Sequence, residues 1–184
     1  MTVLVAAASK HGGTQGIAER IGADLADCGL NVEVKKLHDV DEVGSYEAVV
    51  LGSAIFFGKW MKEAIQFVNA HAGELAERPT WLFASGSITG NPPIAEDKNA
   101  IRPSLVEKLL SSTHAREHKL FAGKLDRGTL SLAEKLPVKM ARGREGDWRD
   151  LAAVDAWAAE IADALQPDKS VVGSEAMQTS GESG

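Results

Sequence analysis

The sequence predicts an α/β fold, a doubly wound domain built on a five-stranded parallel sheet. Three observations carry this: short apolar runs that end at Gly- or Ser-rich turns, segments of helical period between them, and a regular alternation of the two. A chain of 184 residues, 44% of them hydrophobic, suits one domain with one sizeable core.

Val3 to Ala8 is the first run, apolar throughout, as in a strand buried on both faces. From Gly13 to Cys28, residues Ile17, Ile21, Leu25 and Cys28 recur at helical spacing, and Gly29 stands where helices commonly end. Asn31 to Leu37 alternates polar and apolar residues like an edge strand, and Ala48 to Leu51 is again a buried run. Trp60 to Ala72 is amphipathic through Ile65, Phe67 and Val68 and predicts the second helix; Pro79 then introduces the fourth strand, Thr80 to Ala84. A polar stretch through Asn91-Pro92-Pro93 leads to a helix near Ile101 to Ser111. Lys119 to Ala122 is the fifth strand, and Trp148 to Leu165 the closing helix. The domain is expected to span residues 1–165. Gln166 to Gly184 is small and polar without periodicity, and predicts a disordered tail.

Composition narrows the function classes. The net charge of -6 comes from interspersed charges of both signs, so no basic stripe advertises nucleic acid, and a small-molecule partner fits better. Cys28 is the single cysteine, which excludes an internal disulfide and a Cys-based zinc site. His38, His71, His114 and His118 show no metal spacing and are expected to be surface or packing residues. No apolar run approaches the ~20 residues that span a bilayer, and Met1 leads into Val3-Leu4-Val5 without a basic leader. A cytoplasmic location is the expectation.

In a doubly wound sheet, ligands sit beyond the carboxyl ends of the strands, so the strand-end loops carry the candidate site. After the first strand, Ser9, Lys10, His11, Gly12, Gly13 and Thr14 combine hydroxyls, two basic side chains and two glycines at a helix start. Such a turn offers backbone N–H groups and a helix dipole to an anion, although an ordinary strand-to-helix turn uses the same residues. A P-loop is excluded, because no Lys and hydroxyl residue follow the last glycine. Gly12-x-x-x-Gly16-Ile17-Ala18 is similar to the dinucleotide turn of short-chain dehydrogenases, with Asp39 a candidate ribose ligand. Their Tyr-x-x-x-Lys is not met, since Val50 stands four residues after Tyr46, the single tyrosine.

The second loop holds Ser53, Ala54, Ile55, Phe56, Phe57 and Gly58, followed by Lys59 and Trp60. It gathers aromatic and small residues where polar ones are usual. A flat ring system needs an apolar wall and free backbone groups, and this segment offers both; Ser85, Gly86 and Ser87 stand ready on the other side. Core packing is the competing reading for Phe56, Phe57 and Trp60.

The order of these loops resembles the flavodoxin-like family, and more closely its branch of menaquinone-dependent protoporphyrinogen dehydrogenases. The resemblance covers nearly everything to Leu165. It rests on Ser9 to Thr14, on Ser53 to Trp60 with Lys62-Glu63-Ala64, on Phe121-Ala122-Gly123 and on Gly146-Asp147-Trp148-Arg149-Asp150. It implies strand order 2-1-3-4-5 and FMN as cofactor, its phosphate held by Ser9 to Thr14 and its isoalloxazine ring framed by Ser53 to Gly58 and Ser85 to Ser87. Where the porphyrinogen branch has tyrosine and histidine around the second-loop glycine, this chain has Phe57, Lys59 and Trp60.

The resemblance implies an FMN-dependent oxidoreductase transferring two electrons to or from a quinone, a porphyrinogen or a similar small molecule, with a nicotinamide as a candidate donor. Lys59 and Lys62 flank the ring loop as charges that favour the anionic reduced ring. The alternative is a flavodoxin carrying single electrons between redox proteins, and a third reading is a scaffold module without the flavin. Thr129 to Arg144 mixes apolar and basic residues around Pro137, as in a helix lying at a membrane surface or on an ordinary protein surface. Asp147 is expected to cap the closing helix, with Trp148 near the ring.

Overall fold

The computed structural model describes residues 1–56, 58–86, 102–125, 128 and 146–166. Phe57, Ser87, residues 129–144 and the tail beyond Gln166 lie outside the described residues. The strands are β1 Thr2–Ala8, β2 Asn31–Lys36, β3 Ala48–Phe56, β4 Lys59–Trp60, β5 Thr80–Gly86, β6 His118–Ala122, β7 Lys124–Leu125 and β8 Gly146–Asp147. The helices are α1 Gly13–Asp27, α2 Lys62–Ala70, α3 Ala72–Ala76, α4 Pro103–Thr113 and α5 Leu151–Leu165.

Five strands pair in parallel in the order β2-β1-β3-β5-β6, which is the expected 2-1-3-4-5 order once the short antiparallel β4 is set aside. Alternate residues of β1 point to opposite faces, so its run is apolar throughout because both faces are covered. Val3, Val5 and Ala7 join Ile17, Ile21, Leu25, Trp157 and Ile161 beneath α1 and α5. Leu4, Ala6 and Ala8 join Ala64, Val68, Leu75 and Leu109 beneath α2, α3 and α4. Strand β2 is the exposed edge, which is why its sequence alternates.

Local signals set most helix ends. At the end of α1, the Leu30 N–H reaches Leu25 O at 3.2 Å and the Gly29 N–H reaches Ala26 O at 2.8 Å, a Schellman closure that puts Gly29 at φ 86°. At the start of α5, the Asp150 carboxylate accepts from the Ala153 N–H at 3.1 Å. This corrects the expected cap at Asp147: strand β8 claims Asp147, its carboxylate binds Arg149, and the helix begins three residues after Trp148.

Strands β3 and β5 run past the apolar runs that announced them, because pairing continues from Ala54 to Ser85 and from Gly86 to Ala122. The second helix starts at Lys62 rather than Trp60, since Lys59 and Trp60 turn back to pair with Phe56 and Ile55. It breaks at His71, where φ of -108° ends α2 before α3. Trp60 is therefore no part of a ring wall. It is 3% exposed in the core, and its indole Nε1 donates to His118 Nε2 at 3.3 Å.

That contact makes His118 a reporter of core integrity. Burial lowers its pKa to about 4, and the indole donor holds Nε2 as an acceptor. Below a pH of about 6.5 the unfolded chain takes up a proton that the folded chain does not. Stability is thus expected to fall as pH drops from about 6.5 toward 4, by up to roughly 3 kcal/mol, and then to level off. In His118→Gln, chemical denaturation at several pH values is expected to show this slope flattened; an unchanged slope would place the titration elsewhere.

Candidate functional site

Strand β1 lies between β2 and β3, and the chain leaves β1 and β3 toward opposite faces, through α1 on one side and α2 on the other. The carboxyl ends of β1 and β3 therefore open a crevice, the switch point at which doubly wound sheets bind ligands. The order also disposes of the dinucleotide reading. In a classic dinucleotide fold the third strand lies beyond the second, whereas here β2 is the edge and β3 sits across β1. Asp39 lies exposed on a 3-10 turn, 3.4 Å from His38.

At the crevice, Gly12 precedes α1 with φ 79° and ψ -12°, a left-handed conformation that costs a residue with a Cβ about 1–2 kcal/mol. No side chain caps the helix and no acidic residue stands in its first turn. The Gly16 N–H is the first to bond back, to Gly12 O at 2.9 Å. Helix geometry leaves the N–H groups of Gly13, Thr14 and Gln15 outside the helical ladder. A Cβ at Gly12 would meet nothing within 4 Å, so the turn borders open space. Ser9 is half-buried beside it and Thr14 buried at 3% exposure. Lys10 and His11 complete the loop, Lys10 exposed and His11 half-buried.

This cradle fits FMN. A phosphate dianion matches N–H groups at the positive end of a helix dipole. In the first turn of α1, Gln15 Oε1 is buried without a hydrogen-bond partner among the described residues.

Register brings the other two loops alongside. Ala8 pairs with Ser53, Ser53 with Ala84 and Ala54 with Ser85, so the ends of β1, β3 and β5 form one row. Ser53, Ala54, Ile55 and Phe56 belong to β3, and Ser85 and Gly86 to β5. The hydroxyl of Ser53 is engaged internally: it accepts from the Met61 N–H and donates to Ala54 O, both at 2.9 Å, and so seals the hairpin. Gly58 turns that hairpin at φ 71°, and its carbonyl accepts from the Arg102 N–H at 3.2 Å, tying the tip to the start of α4. Lys59 and Lys62 are exposed beside it.

Sequence reasoning missed the ribbon of β7 and β8. Lys124 pairs with Asp147 across it, and a Cβ on Gly13 would lie 3.5 Å from Lys124. The ribbon hangs from the sheet through the Gly123 N–H to Gly86 O at 2.9 Å and the Trp148 N–H to Gly123 O at 3.1 Å. Gly146 to Asp150 stood out in the sequence, but nothing local relates that stretch to a loop more than a hundred residues earlier.

Comparison with known proteins agrees with this geometry. The chain is 26% identical over 94 residues to protoporphyrinogen IX dehydrogenase [quinone] of Escherichia coli (strain K12), covering 50% of this chain and 52% of that protein. It is 29% identical over 137 residues to 4-hydroxy-tetrahydrodipicolinate reductase of Acidiphilium cryptum (strain JF-5), covering 73% and 53%. The chain thus spans about half the length of the curated relatives it matches. Among solved structures, a point mutant of flavodoxin from Pseudomonas aeruginosa superposes with a TM-score of 0.56 at 15% identity, covering 90% of this chain and 99% of that one. The family model described as flavodoxin domain matches residues 4–151. With that match over most of its length, and with this sheet order, the chain belongs to the flavodoxin-domain family, whose cofactor is FMN.

Proposed function

We propose that the chain, as one domain over residues 1–165, is an FMN-dependent oxidoreductase moving two electrons to or from a quinone, a porphyrinogen or a similar small molecule. The observation that carries this is the uncapped start of α1 behind left-handed Gly12, placed at the β1/β3 switch point. In this reading the N–H groups and hydroxyls of Ser9 to Thr14 hold the phosphate. The segments Ser53 to Gly58 and Ser85 to Ser87 frame the ring through their backbone groups. Bound FMN supplies one- and two-electron redox chemistry at its ring. The chain's own contribution is to orient that ring and to set the charge beside it. Lys59 and Lys62 place two exposed cations next to the ring hairpin, and a nearby cation lowers the cost of negative charge. Likeness to the Escherichia coli protein supports a small-molecule partner.

A second reading, a carrier of single electrons between redox proteins, is favoured by the shared architecture with flavodoxins. The two separate in one experiment. The purified protein is expected to bind one equivalent of FMN with the visible absorption of a bound flavin, and to pass from oxidised to fully reduced in a single two-electron step during potentiometric titration. Two well-separated one-electron steps would favour the carrier, and no binding of added FMN would overturn both readings. Among the described residues no helix is long and apolar enough to cross a membrane.

A further inference from the structure

We propose that Arg149, held by Asp147 with Lys124 as a second cation beside that carboxylate, is a positioning residue that makes the α1 cradle select a phosphorylated flavin over an unphosphorylated one. The proposal rests on the FMN reading above and assigns residues outside the three strand-end loops.

Helix α1 has glycine at positions 13 and 16, one turn apart on the face turned to the β7–β8 ribbon. A Cβ at Gly13 would make ordinary contact with Lys124, at 3.5 Å. A Cβ at Gly16 would lie 2.6 Å from Arg149 Nη1, closer than real Cβ atoms come. The guanidinium tip therefore lies against the helix backbone in its first turns, and a Cβ at Gly16 would push that flexible end aside.

Two of its three nitrogens are spoken for. Arg149 Nε donates to Asp147 Oδ1 at 2.8 Å and Nη2 to Asp147 Oδ2 at 2.5 Å, while the Arg149 N–H reaches Oδ1 at 3.2 Å. This fork fixes the plane of the guanidinium and leaves Nη1 as the nitrogen turned to α1. The Asp147 carboxyl is held below its ordinary range, first by the Arg149 hydrogen bond and in smaller part by the charge of Lys124. Within the trio Lys124, Asp147 and Arg149, two cations face one carboxylate, which leaves one positive charge beside the helix end that already bears the positive pole of its dipole, while the neighbouring Asp150 carboxylate is committed to the start of α5. The arrangement adds to whatever binds a dianion there and does nothing for a neutral ribityl end. The same ribbon is bonded to Gly86, so the clasp over the phosphate loop is continuous with the end of β5.

The test is a pair of titrations on the full chain, with FMN and with riboflavin, followed by quenching of flavin fluorescence. Arg149→Gln is expected to weaken FMN about tenfold, the scale of one nearby unit charge partly screened by solvent, and to leave riboflavin unchanged. Gly16→Ala, which displaces the guanidinium without harming helix propensity, is expected to reproduce that selective loss. Arg149→Lys is expected to recover part of it, and the wild-type preference for FMN is expected to shrink with added salt. Equal weakening of both flavins, or no change in FMN affinity in either variant, overturns the assignment while leaving the FMN reading intact. A wild-type chain that binds neither flavin overturns both.

Discussion

Gly52→Val is expected to lower the melting temperature by roughly 6–12 °C and to abolish flavin binding with it, the larger of two strong effects that the structure predicts. Gly52 lies in β3 opposite Phe83 of β5, and the Phe83 ring occupies the space where a Cβ would stand. The ring has nowhere to go. It is fully buried and meets Phe121 and Trp157 edge-on, with centroids 6.2 Å away in each case, while Phe121 and Trp157 lie 5.5 Å apart. Trp157 is itself fastened by its Nε1 donating to Glu117 Oε2 at 2.6 Å. Forcing extra carbon into so close-packed a cluster costs about 3 kcal/mol, which at ~2–4 °C per kcal/mol for a chain of this size gives the stated shift. Gly52 stands directly before Ser53, so disorder in the pairing of β3 with β5 reaches at once the row proposed to frame the ring. Calorimetry of the variant decides; a melting temperature within about 2 °C of the wild type, less than 1 kcal/mol would give, would mean that the Phe83 ring is not seated as described.

Gly12→Val is expected to do the reverse, sparing the fold and removing the ligand. Its stability cost is confined to the left-handed backbone, about 1–2 kcal/mol, because a Cβ there meets no protein atom. The same open space is where the phosphate of FMN is proposed to lie. A valine side chain there, with a loop pushed from its left-handed turn, is expected to forfeit two or more charge-assisted hydrogen bonds. Each is worth about 1.5–3 kcal/mol, so affinity falls about 100-fold or more. Gly12→Asn separates the two causes, since asparagine tolerates a left-handed backbone. It is expected to melt close to the wild type and still bind FMN weakly. Full affinity in Gly12→Asn would assign the effect of valine to backbone strain alone, and full affinity in Gly12→Val would remove the phosphate from this loop.

These variants also mark how far the candidate site was legible. The loop Ser9 to Thr14 is visible from sequence because its chemistry is local: a strand ends, two glycines follow and a helix starts. Ser53 and Ser85 are visible only as positions. That the Ser53 hydroxyl seals a hairpin through Met61 depends on β4 folding back, which two residues of no strong strand character do not announce. Trp60 reads equally well as a ring wall or as core, and its burial against His118 is settled by a strand 58 residues further on. Arg149 stands in a stretch that the sequence marks out, but its place on Gly16 depends on a ribbon whose two strands are separated by about twenty residues.

What the sequence determined by itself is the alternation of strands and helices, the glycine end of α1, the doubly covered character of β1 and the glycine-rich turn after it. Each follows from residues within a few positions of one another, through backbone sterics, period and capping. What only the tertiary structure decided is the extension of β3 and β5, the inward fate of Trp60, the cap at Asp150 and the clasp of Lys124, Asp147 and Arg149. Each of these is a choice among partners distant in the chain, and a side chain's destination is set by which partner arrives beside it.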